Sequence, residues 1–420
     1  MSSLQSWIDH GDEMRRPLLV HTELADSSTV VIVGGGLSGM CCAYRIATKR
    51  PDIKVIILEQ SNRLGGVIST WQDGEWICDL AVNATRPHPA FWRLVDDLGL
   101  ADKFNPSRSQ ANARWVLSQG RYHRLSWRSL FKIGPFKLWK SLKQAKAGGR
   151  SVVQVIPHKP IADALCLGIV NDTAEHVDAD FLLPSVTGFG NSPPIKKRKL
   201  ANLIAETYPI FTPKKGSIAS IDGGMMVLIQ YLSEKLIQLE NVEIMFNQSI
   251  DSAQKAAERF GIGMASVIWA APGDRENYSA SQLSIFAVGY RNEQVDNVGV
   301  GYGTLIPDVE LPISGILHES DLHYSKRAPD GHRLFRLMVP HSRWDGKEQT
   351  VLSCAEDLLG NNPELFVKIG ERSIPHYRPG YLGRLATVDR PYSRVGWAVS
   401  GVSITHVVDE AERVAELFVE

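Results

Sequence analysis

The sequence predicts an α/β fold made of a doubly wound domain with parallel strands, a second mixed or antiparallel sheet, and a small helical module. An apolar run at 29–34 ends in glycines that open a helix, and a second apolar run follows at 54–59. This order is typical of buried parallel strands joined by a helix. Apolar residues alternate over 285–340, as expected for an antiparallel sheet. Residues 103–162 contain no acidic residue, so we expect a separate basic module there.

The remaining elements follow from helix and turn signals. Pro51 ends the first helix, since a proline cannot donate an intrahelical hydrogen bond. Gly223 and Gly224 precede a strongly apolar segment and open a helix. The predicted helices are 40–49, 88–100, 225–239, 353–359, 363–370 and 404–419. The further predicted strands are 217–221, 242–246 and 266–271.

The composition is that of a globular protein and excludes several classes. Of the 420 residues, 44% are hydrophobic and 22% are charged, so the chain is not disordered as a whole. Lys and Arg number 46, as do Asp and Glu, and this zero net charge argues against a nucleic-acid-binding protein. The five cysteines form no CxxC pair and no HExxH motif occurs, so neither a disulfide framework nor a metal site is predicted.

Hydropathy and residues 1–28 give an expectation for where the protein is located in the cell. No apolar run reaches the roughly 18 residues of a membrane-spanning helix. Residues 1–28 carry acidic side chains and no apolar core, unlike a secretory signal or a transit peptide. We therefore expect a cytoplasmic location, or the mitochondrial inner membrane if the organism is eukaryotic.

Positive charge is concentrated in one segment. Residues 103–162 contain 13 Lys or Arg, so the rest of the chain has an excess of 13 acidic residues. Aromatic rings beside cations suit an anionic membrane surface, which predicts peripheral membrane association. A nucleic-acid surface and a solvated basic helix stay open as alternatives for this segment. The aromatic residues are Trp115, Trp127, Phe131, Phe136 and Trp139.

A glycine motif follows the first strand. Gly34, Gly36 and Gly39 have the GxGxxG spacing, in which the glycines allow a tight turn, close approach of a pyrophosphate and close helix–strand packing. The phosphates would lie at the helix N-terminus beside Leu37 and Ser38, where N–H groups favour an anion. Glu59 lies at the end of the next strand, where an acid accepts hydrogen bonds from a ribose. The motif in this context predicts dinucleotide binding.

A second motif follows Glu59. Gln60 is next, then Arg63, Gly65, Gly66 and Val67 in the run RLGGV. An arginine and a glycine pair directly after the ribose acid resemble the second fingerprint of flavin enzymes, whereas an NAD-only dehydrogenase has no need of it.

The chain resembles oxygen-dependent protoporphyrinogen oxidases of the amine oxidase and phytoene desaturase superfamily. The likeness covers most of 29–420 and includes the segments 217–236, 241–251 and 266–272. It implies a Rossmann-like FAD-binding domain, a substrate-binding sheet and FAD as cofactor. The residues it implies for FAD are Gly34, Gly36, Leu37, Ser38, Gly39, Glu59, Gln60, Arg63, Gly65, Gly66, Val67, Ile250, Gly396, Trp397 and Val402.

Three segments resemble the substrate side of that family. Residues 301–307 (GYGTLIP) are similar to a stretch that sandwiches the tetrapyrrole, and 373–381 are similar to a segment with the pattern IPQYxxGH. Residues 112–115 (NARW) resemble a turn whose arginine pairs with a substrate propionate, although a surface cation is the alternative for Arg114. The catalytic-site residues implied are Arg114, Tyr302, Gly303 and Leu305.

The sequence departs from the family in two places. Where the family has a run of the type ELGPRG, residues 79–84 read DLAVNA, so two glycines and an arginine are replaced. Trp397 stands where the family has an asparagine beside the flavin. A flavin-less, inactive relative therefore stays open.

The resemblance implies the six-electron oxidation of protoporphyrinogen IX to protoporphyrin IX with oxygen as acceptor, in haem biosynthesis. Coproporphyrinogen III oxidation, or an amine oxidase or desaturase activity, is the alternative among enzymes. A homodimer is compatible with the sequence. The expected divisions are FAD-binding parts at 29–102, 207–275 and 379–420, a basic helical module at 103–206, and a substrate-binding sheet at 276–378.

Overall fold

The structure is a computed structural model of the chain. It describes residues 18–125, 134–145, 148–183, 187, 218–272, 279–381, 383–384 and 390–418. The predicted aromatic positions Trp127 and Phe131 lie outside these residues.

Within the described ranges, the strands form four sheets. They are β1 Thr29–Val33, β2 Lys54–Leu58, β3 Thr70–Asp73, β4 Trp76–Asp79, β5 Phe104–Pro106, β6 Arg114–Ser118, β7 Arg121–Arg124, β8 Ala219–Ile221, β9 Val242–Met245, β10 Val267–Trp269, β11 Ala280–Arg291, β12 Gly303–Leu305, β13 Gly315–Leu317, β14 His332–Pro340, β15 Leu365–Pro375 and β16 Ser393–Arg394.

The α-helices pack on these sheets. They are α1 Leu37–Lys49, α2 Pro89–Asp97, α3 Pro135–Ala145, α4 Val152–Val155, α5 Lys159–Val170, α6 Ala179–Leu182, α7 Met226–Ile237, α8 Ala253–Phe260, α9 Glu319–Leu322, α10 Glu348–Leu358, α11 Trp397–Ser400 and α12 Ile404–Glu416.

The first sheet has the order β16-β10-β1-β2-β9, and its strands pair in parallel. Helices α1 and α12 contact each other and share a core with α2 and α7. Because the strands are parallel, their carboxyl ends meet at one edge, where α/β sheets bind ligands. The predicted strand–turn–helix–strand unit is confirmed within one or two residues, apart from the helix start.

The second sheet has the order β15-β11-β14-β13-β12-β6-β7. The strands pair antiparallel except for β12 and β6, which are parallel. The antiparallel pattern predicted over 285–340 is therefore confirmed, with β11 and β14 as its longest pair.

Two sequence interpretations differ from the structure. The helix predicted at 363–370 is wrong, because Leu365–Pro375 is a strand whose hydrogen bonds go to β11. The region expected to be a basic helical module contains the helices α3 to α6, but it also contains β6 and β7, which join the second sheet through β12. In both cases pairing with a distant strand outweighs local helix signals. No helix among the described ranges is long and apolar enough to cross a membrane.

Candidate active site

The first glycine turn connects β1 to α1. Gly34 has a φ of 111°, and a Cβ atom there would lie 2.9 Å from the Ala271 nitrogen. A Cβ atom on Gly39 would lie 2.0 Å from the Gly34 carbonyl oxygen. Gly36 caps α1 without a side-chain hydrogen bond, so the first N–H groups of the helix are open to a ligand. The turn therefore has the shape and the donors of a phosphate cradle.

The second glycine turn packs against the first. The Gly65 N–H donates to the Gly35 carbonyl oxygen at 2.8 Å. Arg63 donates through Nη2 to the Gly66 carbonyl oxygen at 2.9 Å, and through Nη1 to two other carbonyl oxygens of the same turn. The Arg63 guanidinium thus fixes the shape of its own turn.

Glu59 lies between the two turns and is 7% exposed. Its Oε2 atom accepts from the Gly35 N–H at 2.7 Å, and its Oε1 atom accepts from the N–H and the hydroxyl of Ser61 at 2.8 and 2.7 Å. An ionised carboxylate has about four lone-pair positions, so a ribose hydroxyl can still be accepted.

A continuous cavity of about 1270 Å³, lined by described residues, runs from these turns to the second sheet. A typical single-ligand pocket measures roughly 300–1,000 Å³, so this volume suits a dinucleotide together with a second molecule. Gly39 and Gly396 are not on its wall. The predicted site residues that line it are Gly34, Gly36, Leu37, Ser38, Glu59, Gln60, Arg63, Gly65, Gly66, Val67, Arg114, Ile250, Tyr302, Gly303, Leu305, Trp397 and Val402.

The predicted substrate residues lie together at the second sheet. The Arg114 guanidinium carbon is 4.8 Å from the centroid of the Tyr302 ring, a cation–π contact, and the arginine is solvent-exposed. Gly303 pairs with Arg114 across β12 and β6, and a Cβ atom on this glycine would lie 2.4 Å from the Ile316 carbonyl oxygen. Leu305 packs close to Gly168 of α5, which forms an apolar wall.

The altered segment 79–84 is held by buried charges. Asp79 is fully buried and accepts from the Thr70 hydroxyl at 2.6 Å and the Met225 N–H at 2.8 Å. Arg327 pairs with the same carboxylate at 3.2 Å. Arg336 donates to the carbonyl oxygens of Asp79 and Ala81, and Ala81 lines the cavity.

The carboxylate of Glu319 neutralises the positive charge of Arg336. Its Oε1 atom lies 2.9 Å from Arg336 Nε, and its Oε2 atom lies 2.7 Å from His323 Nε2. Burial acts to raise the pKa of Glu319, but the charge of Arg336 and the hydrogen bond to His323 lower it to about 2. Burial, with the charge of Arg327, lowers the pKa of His323. The sequence analysis did not predict this cluster. The charged side chains inside the apolar run of β14 could have indicated it, because a charge in a buried strand needs a buried partner.

The second altered segment, 395–406, contains Gly396, which has a φ of 107°. The Gly396 N–H donates to Glu410 Oε2 at 2.6 Å, and burial raises the pKa of this carboxyl to about 8. The Trp397 carbonyl oxygen accepts from the Tyr377 hydroxyl at 2.9 Å. Glu410 and Tyr377 therefore fix the backbone around Trp397.

The residues present fit FAD. Gly36 and Gly66 face each other without side chains, and a Cβ atom on Gly66 would lie 3.2 Å from Gly36 Cα. Ala81 and Val402 line the same cavity, so the altered segments leave it open.

Comparison with known proteins gives a family model for one segment and relatives that match over different lengths. Residues 32–98 match the NAD(P)-binding Rossmann-like domain. Human protoporphyrinogen oxidase is 25% identical over 356 residues, which cover 70% of this chain and 73% of that protein. The Bos taurus protoporphyrinogen oxidase is 23% identical over 474 residues, which cover 92% of this chain and 97% of that protein. Protoporphyrinogen oxidase 1 of Arabidopsis thaliana chloroplasts is 39% identical over 74 residues, which are 17% of this chain and 14% of that relative.

Solved structures share the fold. A candidate protoporphyrinogen oxidase from Exiguobacterium sp. 255-15 superposes with a TM-score of 0.67 at 16% identity, covering 92% of this chain and 98% of that one. A double mutant of putrescine oxidase superposes with a TM-score of 0.62 at 15% identity, covering 92% of this chain and 99% of that one. These matches confirm the predicted resemblance, and with it a flavin-dependent oxidase with FAD as cofactor. The chain is thus similar in sequence to protoporphyrinogen oxidases and shares its fold with putrescine oxidase.

Proposed function

We propose that this chain oxidises protoporphyrinogen IX to protoporphyrin IX in haem biosynthesis, with FAD as cofactor and oxygen as electron acceptor. The observation that carries the proposal is one continuous cavity that joins both glycine turns to an arginine-bearing apolar wall. Six electrons and six protons leave the macrocycle, and oxygen takes them up as hydrogen peroxide. FAD, when bound, supplies this redox chemistry.

The chain's own residues bind and orient the substrate. Arg114 pairs with a propionate carboxylate, since a guanidinium offers two parallel N–H donors to it. Gly303 brings the backbone of β12 close to the ring, and Leu305 presses on its apolar face. Holding the ring against the cofactor supplies the proximity that such a transfer needs.

The test is porphyrin fluorescence. The FAD-supplemented protein is added in air to protoporphyrinogen IX and, separately, to coproporphyrinogen III, with heat-denatured protein as control. A rate above autoxidation on either substrate supports a porphyrinogen oxidase. No excess rate on either substrate, with FAD bound, would reassign the chain to another flavin oxidase. No rate and no bound flavin would indicate an inactive relative.

Coproporphyrinogen III is a second candidate substrate. It carries more propionates than protoporphyrinogen IX, and Arg372 adds a further cation to the cavity wall. A higher kcat/KM on coproporphyrinogen III in the same assay would select it.

Arg114→Met is expected to raise KM for protoporphyrinogen IX about 10- to 100-fold, because a charged hydrogen bond contributes about 1.5–3 kcal/mol. The value of kcat should change much less, since the pairing is distant from the bonds that react. Arg121→Met is the matched control, as Arg121 is exposed on the neighbouring strand and is not on the cavity wall. Equal KM values for both variants would remove Arg114 from the substrate site.

We also infer that helix α3 contacts an anionic membrane surface. Phe136 and Trp139 are 75% and 59% exposed, with ring centroids 6.1 Å apart. Lys143 Nζ lies 5.7 Å from the Trp139 ring. Exposed aromatic rings beside lysines suit the headgroup region of an anionic bilayer.

The double variant Phe136→Ser, Trp139→Ser is expected to bind vesicles of phosphatidylglycerol and phosphatidylcholine at least about 10-fold more weakly, since apolar burial drives interfacial binding. Co-sedimentation measures this. Ile237→Ser is the control, because Ile237 is 73% exposed on another helix. Unchanged sedimentation of the double variant would exclude α3 as the contact.

A further inference from the structure

One cation on the cavity wall has no anionic partner. Arg372 of β15 lines the cavity, and no carboxylate pairs with it among the described residues. Its hydrogen-bond contact is from Nη2 to the Met338 sulfur atom at 3.7 Å, and its Nε atom is buried without a partner. Arg336, the neighbouring cation, is already balanced by Glu319.

The surroundings make this charge unfavourable in the free protein. Met338 and Ile374 belong to the apolar cluster beside Arg372. Burial, and the positive charge of Arg336, lower the pKa of Arg372 to about 9, so the guanidinium is still protonated at neutral pH. Arg372 is half-buried, with its Nε atom shielded from solvent, so an anion beside the protonated guanidinium would stabilise it, and the open cavity lets a ligand supply one.

The position of Arg372 separates it from Arg114. Arg114 is on β6, whereas Arg372 Nη2 contacts the sulfur atom of Met338, whose methyl group lies over Gly315 of β13. β13 is two strand spacings from β6 in the sheet order, which is about 10 Å at about 4.8 Å per spacing. A ligand with carboxylates on two sides can therefore present a different carboxylate to each arginine.

We propose that Arg372 binds a second carboxylate of the substrate, on the side of the macrocycle opposite to the one held by Arg114. This inference rests on the proposed function and refines its substrate. A porphyrinogen with propionates on both sides, such as coproporphyrinogen III, engages both arginines. Protoporphyrinogen IX has its two propionates on adjacent rings and engages Arg114 alone.

The test compares Arg372→Met, Arg372→Lys and the control Arg121→Met in the full-length, FAD-loaded protein. Arg372→Met is expected to raise KM for coproporphyrinogen III at least about 10-fold, with kcat nearly unchanged and less than a two-fold change for protoporphyrinogen IX. Arg372→Lys should restore part of the affinity. The melting temperature of Arg372→Met should equal or exceed that of the parent, because the variant removes an uncompensated charge; a purely structural arginine would lower it.

A binding measurement separates this inference from the proposed function. Fluorescence titration with coproporphyrin III should show weaker binding to Arg372→Met, while its tetramethyl ester should bind both proteins equally. If coproporphyrin III binds more tightly to the parent than to Arg372→Met, but the parent oxidises no porphyrinogen, the carboxylate site stands and the proposed function falls. If the parent oxidises porphyrinogens and Arg372→Met matches it on both substrates, the carboxylate site falls alone. Loss of FAD from Arg372→Met would assign the guanidinium to the cofactor and overturn the inference.

Discussion

Glu319→Gln is expected to lower the free energy of unfolding by about 3–5 kcal/mol, because it leaves the Arg336 guanidinium buried and uncompensated. Glu319 is fully buried, and both of its oxygens have charged or hydrogen-bonding partners. The glutamine amide keeps the shape of the side chain, so the loss of stability results from the missing charge and not from a change in volume. Denaturant unfolding measures it, and FAD content should fall as well, since Arg336 holds the cavity-lining carbonyl of Ala81.

Glu310→Gln is the control for this variant, because Glu310 is exposed in a loop. The pH dependence gives an independent check. The pKa of Glu319 is about 2 in the folded protein and 4.5 ordinarily, so its stabilising contribution is present above pH 4.5 and is lost as the pH falls towards 2. The variant should lack this part of the acid sensitivity. Equal stability of the two variants at neutral pH would mean that the Arg336 charge is solvated in some other way.

The first half of the nucleotide domain could be predicted because its signals are local. The β-branched run of β1, the glycines after it and Glu59 at the end of β2 lie within about one βαβ unit. The strand Leu365–Pro375 could not be predicted in this way, since its apolar residues suit a helix as well as a strand. Pairing with β11, distant in sequence, decides its conformation. The same holds for β6, which pairs with β12 almost two hundred residues later.

The same distinction between local and long-range signals applies to the residues of the site. Arg114 and Tyr302 could be placed together only through the family resemblance, and the structure brings the two side chains into contact. The buried pair of Asp79 with Arg327 could not be predicted, because it joins segments far apart in sequence. Glu319 and Arg336 lie closer in sequence, and the charges inside the apolar run of β14 indicate a buried cluster but not the partner of each charge. Such pairs also explain how the chain holds 79–84 without the arginine and glycines of the family pattern that it resembles. Arg336 comes from β14 and binds the backbone of this segment from outside it.

Gly39→Ala is expected to reduce bound FAD at least about 10-fold, because the new Cβ atom would lie 2.0 Å from the Gly34 carbonyl oxygen. Real Cβ atoms essentially never come within 3.0 Å of another heavy atom in this way, so α1 must move away from the turn. The N–H groups at the start of α1 then no longer point into the phosphate cradle. The flavin absorbance per mole of purified protein measures the loss, with far-UV circular dichroism as the check on folding.

Two further glycine variants separate ligand binding from folding. Gly263→Ala is the neutral control, since a Cβ atom there meets nothing within 4 Å. Gly36→Ala is the informative variant, because its Cβ atom would approach only Gly66 Cα, at 3.9 Å, and the free protein can accommodate it. That methyl group would occupy the space between the two turns where the pyrophosphate is expected. Gly36→Ala should therefore keep the stability of the parent and lose FAD, and a Gly36→Ala protein with full flavin content would place the dinucleotide elsewhere.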